Sequence, residues 1–166
     1  MPYIFTHGAG TEADPYQVWT AADLNGVRDH LSAHFIQMAD IDLSGVEWVS
    51  IAGSGVSFQG VYNGNGHLIK NINNPLFGFA QHSTIKKVGL TDVNITNTFA
   101  PLVNGGWGNI IEECFSTGII TSDTALQGGL LGLMQGWPID GSIVGDIKNC
   151  YSRCKIVNTA EAIFTG

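Results

Sequence analysis

Ile111-Glu-Glu-Cys-Phe-Ser-Thr-Gly-Ile-Ile120 returns as Ile147-Lys-Asn-Cys-Tyr-Ser-Arg-Cys-Lys-Ile156. A more diverged copy comes earlier, as Ile85-Lys-Lys-Val-Gly-Leu-Thr-Asp-Val-Asn-Ile95. A repeat of this kind is one structural unit stacked on its neighbours. The copies start 26 and 36 residues apart, and the longer interval contains Gln135-Gly-Trp-Pro-Ile-Asp-Gly141, which reads as a loop on the outside of the stack. The fold class expected is all-β, a parallel β-solenoid.

The register can be checked on side chains. Stacking places Lys86, Glu112 and Lys148 in an outward ladder of alternating sign, and opposite charges on neighbouring strands stabilise by roughly 0.2–1 kcal/mol. Ile85, Ile111 and Ile147 point inward beside Val88, Cys114 and Cys150. Leu90 then faces Ser116 and Ser152, and the first copy needs a one-residue bulge to bring Ile95 level with Ile120 and Ile156. A hydrophobic pair beside small residues also recurs, at Leu76-Phe77, Leu102-Val103, Leu130-Leu131 and Ile163-Phe164.

Upstream, Tyr16-Gln-Val-Trp19 reads as a short strand and Thr20 as a helix N-cap, with Asp23 near the positive end of the dipole. Leu24, Val27, Leu31 and Phe35 follow at helical spacing, which predicts a helix near residues 20–34 covering the open end of the stack. Residues 1–166 form a single domain, with 1–34 as cap and 35–166 as coils. The cap is followed by alternating segments and by Asn63-Gly-Asn-Gly66, a turn suited to positive φ.

Only 13% of residues are charged and 22 are glycine, which suits short strands joined by tight turns. The net charge of −7 argues against nucleic acid and anionic membrane surfaces as partners. No stretch approaches the roughly 18 apolar residues of a spanning helix, so membrane insertion is not expected. The start of the chain lacks the basic and apolar regions of a signal peptide. Cys114 and Cys150 share a motif position, and coils about 4.7–4.9 Å apart would allow a disulfide. A reduced, stacked core pair is the favoured alternative.

These motifs resemble the GLUG-type repeat, in which a Gly-Gly-Leu-Val-Gly segment precedes Ile-x-Asn-Cys-Tyr-Ser-x-Gly-x-Val. Gly128-Gly-Leu-Leu-Gly132 with Ile147-Lys-Asn-Cys-Tyr-Ser152 is a close match, and Ile111-Glu-Glu-Cys-Phe-Ser-Thr-Gly118 a good one. Arg153 and Cys154 depart from the pattern. The upstream Gly10-Thr-Glu-Ala-Asp-Pro-Tyr16 and Asp40-Ile-Asp-Leu43 look like the lead-in found before such repeats. The resemblance implies a right-handed parallel β-helix, as in bacterial surface adhesins and phage tail and fibre proteins, and it transfers no catalytic residue.

Candidate sites follow from what points outward. Phe115 and Tyr151 alternate with the inward cysteines and are expected to stack outside the coil. Trp107 and Trp137 lie in Gly105-Gly-Trp-Gly108 and Gly136-Trp-Pro138, read as glycine-rich turns. Such aromatics cover the coil's outer face or fill a corner, and the functional alternatives are to anchor a protein interface, chiefly a subunit contact, or to stack on sugar rings. No catalytic residue, metal ligand or cofactor is assigned. Glu112 and Glu113 face opposite sides of a strand. Asp40 and Asp42 are read as turn-capping, and His30 and His34 as a surface pair.

The expected role is structural or adhesive. A virion appendage (tail fibre, tailspike or head fibre) or surface protein comes first, located in the virion or, alternatively, outside the cell as part of a longer secreted adhesin. Its partners would be copies of itself, with a trimer favoured, or neighbouring virion or surface proteins. A surface polysaccharide is a further possible partner. The rival is a polysaccharide-binding or polysaccharide-cleaving β-helix.

Overall fold

The computed structural model describes residues 1–53, 55–123, 127–134 and 145–159. The chain circles through three sheets, and each circuit lays its strands parallel to those of the one before. After β1 (Tyr16–Val18) comes α1 (Ala21–Gly26), a single 3-10 turn at Val27–Asp29, and the pair β2 (His34–Gln37) and β3 (Ile41–Asp42). The next circuit is β4 (Val61–Asn63), β5 (Leu68–Lys70) and β6 (Phe77–Gln81). Then follow β7 (Thr84–Lys86), β8 (Gly89–Thr96) and β9 (Val103–Trp107). Another is β10 (Ile110–Glu112), β11 (Phe115–Ser122) and β12 (Leu131–Met134), and the last strands described are β13 (Asp146–Lys148) and β14 (Tyr151–Asn158).

The sheets are β1-β2-β4-β7-β10-β13, β3-β5-β8-β11-β14 and β6-β9-β12. Every pairing within them is parallel. The chain is all-β with parallel sheets, an arrangement consistent with a β-helix.

The core is built of columns, because parallel register sets equivalent residues over one another. Tyr16, Phe35, Tyr62, Ile85, Ile111 and Ile147 form one such column. Its central members are buried, and each fully buried side chain of this size contributes about 1.5–3 kcal/mol. Leu76, Leu102 and Leu130 are buried beside the Phe77–Val103–Leu131 column. Aromatics dominate the N-terminal end, where Phe5 stacks on Tyr16 and both contact Phe35. Ile147 is 54% exposed, at the far end of its column.

In the last three circuits the corner between the first and second sheets takes one left-handed residue. Lys87, Glu113 and Asn149 take it in turn, at φ of 55, 53 and 53°. The bulge expected in the first copy is present: Ser116 pairs with Leu90, Gly118 with Val93, and Ile120 with Ile95.

The N-terminal helix is shorter than its apolar spacing predicts. Thr20 caps it as expected, in a capping box with Asp23, but it is α-helical only to Gly26. Phe35 belongs to β2, where it pairs with Tyr16 and Tyr62. Burial at a strand position and at a helix position produces the same apolar letter, so Leu31 and Phe35 carried the helical pattern past its true end. His30 and His34 are therefore not neighbours on a helix. His30 Nε2 lies 2.7 Å from the Tyr3 carbonyl, and its ring packs against Phe5 and Tyr16.

Candidate functional site: an outward aromatic stack and a tryptophan groove

Phe115 and Tyr151 open β11 and β14 and are direct register partners. Their rings stack with centroids 5.2 Å apart and planes 6° from parallel, and the Arg153 guanidinium lies 5.9 Å from the Tyr151 ring. Tyr151 is 53% exposed. Gly89 holds the next position in the column, and a Cβ there would come within 2.7 Å of the Phe115 ring. A glycine lets the ring lie across the neighbouring coil. Beside it is a cleft of about 310 Å³ lined by Asn65, Lys87, Glu113 and Phe115.

Trp107 lies on a different sheet. It ends β9 rather than sitting in a turn, and the turn itself falls at Gly108, with φ of 65°. The strand runs on because glycine permits close approach: a Cβ on Gly106 would lie 1.9 Å from the Ala80 carbonyl oxygen. The indole meets Phe79 edge to face, with centroids 5.2 Å apart and planes at 79°.

Both rings line a groove of about 1010 Å³. Its floor is β6 and β9. One wall is a loop made by a mismatch in register: Ile51 pairs with Phe77 and Phe58 with Ala80, so seven steps of chain match three and four residues are extruded. Val49 and Val56 stand exposed at the rim. Arg28 closes one end, donating to the Val49 carbonyl at 2.7 Å and lying 5.6 Å from the Trp48 ring.

Trp137 and the loop around it, together with the Ile163-Phe164 pair, lie outside the described residues. Sequence reasoning missed Phe79, Gln81 and Asn104 as neighbours of Trp107. The signal was available, since aligning Leu76-Phe77 with Leu102-Val103 sets Gln81 opposite Trp107.

The remaining candidates resolve into scaffold contacts. Lys86, Glu112 and Lys148 are in register. The Lys148 ammonium nevertheless pairs with Asp146 on its own strand, so the cross-strand attraction is shared. Glu113 turns away from Glu112 into the small cleft. Asp42 accepts from Asn71 Nδ2 at 2.7 Å and Ser44 N at 2.8 Å, and these bonds hold its carboxyl below the usual range. Asp40 is held low in the same way by Leu68 N and Lys70.

All three cysteines are free thiols. Burial pushes the Cys114 thiol up to about 12, and its backbone N–H points at Cys150 Sγ, 3.4 Å away. Among the described residues, no three His, Cys, Asp or Glu side chains are grouped to hold a metal. No helix among them is long and apolar enough to cross a membrane.

No protein-family model matches the chain, so the GLUG-type repeat remains a motif resemblance. A candidate Gly-rich membrane protein of Evansella cellulosilytica is 34% identical over 119 residues, covering 61% of this chain and 14% of that protein. Halomucin of Haloquadratum walsbyi is 26% identical over 148 residues, covering 75% of this chain and 2% of its own length. The solved structure of a candidate immunoglobulin A1 protease from Bacteroides ovatus superposes with a TM-score of 0.76 at 26% identity, over 91% of this chain and 50% of that one. The chain thus spans half or less of each protein it matches.

Proposed function

We propose that this chain is a structural and adhesive module: a stretch of right-handed parallel β-helix in a protein displayed at a surface. The observation that carries the reading is register continuity. Equivalent residues stay in column from Tyr16 to Ile147, as a stack of coils requires. The names of the two sequence relatives, a membrane protein and a halomucin, are in keeping with display at a cell surface. Neither is a virion name, so a cell-surface location is preferred to a tail fibre, tailspike or head fibre.

The Phe115–Tyr151 stack is the contact we assign to a second copy of the chain or a neighbouring surface protein. Two flat, stacked rings beside an arginine are the residue types that anchor interfaces. A glycan-cleaving enzyme is disfavoured, because the adjacent carboxylates Glu112 and Glu113 diverge.

The test is the solution mass of the purified chain by light scattering, run beside its co-sedimentation with cell-envelope preparations. We expect a closed oligomer, a trimer first, that reverts to the 17.7 kDa monomer on Tyr151→Ala. A monomer that still binds envelopes removes the subunit contact and keeps the adhesive role. A monomer that binds nothing overturns both.

A further inference from the structure

We propose that the groove between β6, β9 and the loop residues Ala52, Gly53, Val56 and Ser57 is a binding site for a neutral polysaccharide, with Trp107 and Phe79 as its apolar platform. The inference rests on the surface reading above and names a ligand and a site for it. Sugars combine C–H faces that pack on aromatic rings with hydroxyls that need paired donors and acceptors. A site for them therefore pairs partly exposed rings with planar amides.

The groove has that composition. Trp107 and Phe79 meet at 79°, offering one edge and one face at a separation of 5.2 Å. Gln81 lies beside Trp107 in register, and its Oε1 accepts from the Ser57 hydroxyl at 3.2 Å. Asn104 accepts the Phe99 N–H through Oδ1 at 2.8 Å, and Asn74 donates through Nδ2 to the Trp48 carbonyl at 2.9 Å. Those bonds fix each amide in place and leave its other end, the nitrogen of Gln81 and Asn104 and the oxygen of Asn74, out of them. Anchored amides of this kind lose little rotamer freedom when a ligand arrives.

Charge selects a neutral glycan. The cation lining the groove, Arg28, is engaged by the Asn25 and Val49 carbonyls, at 3.0 and 2.7 Å, and by the Trp48 ring. The anion lining it, Asp29, accepts the Tyr3 N–H at 2.7 Å. The chain as a whole carries −7, which opposes an acidic polymer. At about 1010 Å³ the groove has room for several sugar units rather than one.

The experiment is affinity gel electrophoresis of the whole chain in gels containing mixed-linkage β-glucan, mannan or arabinoxylan, with polygalacturonate as the anionic contrast. At least one neutral polymer should retard the chain. Trp107→Ala and Phe79→Ala should each weaken that retardation about tenfold or more, as loss of a central aromatic anchor does. Gln81→Ala should weaken it less, and Tyr151→Ala should leave it unchanged. Circular dichroism on each variant separates lost binding from lost folding. No retardation by any neutral polymer, retardation by polygalacturonate alone, or retardation insensitive to both ring deletions would each overturn the proposal. Envelope binding that survives Trp107→Ala would remove the groove and leave the surface reading standing.

Discussion

Asn109 shows how much a single residue contributes to joining one coil to the next. It is fully buried, and both ends of its amide are hydrogen-bonded. Nδ2 donates to the Ala80 carbonyl at 2.9 Å, and Oδ1 accepts from Ser83 N and Ser83 Oγ at 3.1 and 2.9 Å. It thereby ties the turn after β9 to the turn after β6. Asn109→Ala would leave the buried Ser83 N–H without its acceptor and take one donor from the Ala80 carbonyl. The expected loss is about 2–3 kcal/mol in urea unfolding, and a loss below roughly 0.5 kcal/mol would show that water takes over the bonds. Nothing in the sequence marked this residue, because Gly108-Asn109 reads as an ordinary turn. Cys114 and Cys150, by contrast, were legible as inward neighbours, since their motif positions coincide.

At the scale of the element, α1 owes its position to one carboxylate. Asp23 is buried, which by itself would push its carboxyl up. The Tyr3 and Thr20 hydroxyls and the Trp19 and Thr20 N–H groups all donate to it, and together they hold it below the usual carboxylate range. A depressed folded value means that the ionised form stabilises the fold. That stabilisation is complete above the unfolded value of about 3.9 and is lost as pH falls through the lower folded one. Asp23→Asn should cost about 1 kcal/mol near neutral pH. The gap between wild type and variant should close as pH drops below about 4. A gap that stayed constant through acid unfolding would refute the assignment. The cap residue was readable in advance; the length of the helix was not. Periodicity over Leu24, Val27, Leu31 and Phe35 counts buried positions without saying which element buries them.

For the whole molecule, the stability rests on columns of apolar side chains rather than on charge. The ion pairs among the described residues are His67–Asp40, Lys70–Asp40 and Lys148–Asp146, all at partly exposed side chains. Exposed pairs contribute little and are screened by salt. Raising salt to roughly 0.5 M should therefore move the unfolding free energy by less than about 1 kcal/mol. A loss of several kcal/mol would mean that the charge ladder, and not the core, holds the coils in place.

The repeat by itself determined that strands from successive copies lie parallel and in register. A side chain's place in the motif decides whether it faces in or out, and stacking preserves that choice from coil to coil. The bulge opposite Thr117, the Leu90–Ser116–Ser152 row and the outward Phe115–Tyr151 stack all follow from alignment alone. The groove does not. It arises where Ala52, Gly53, Val56 and Ser57, from one coil, line a groove with Phe79 and Trp107 from the next two. Local sequence carries the periodicity of a strand, but which loop meets which ring is a contact across coils. That was decided only when the circuits closed on one another.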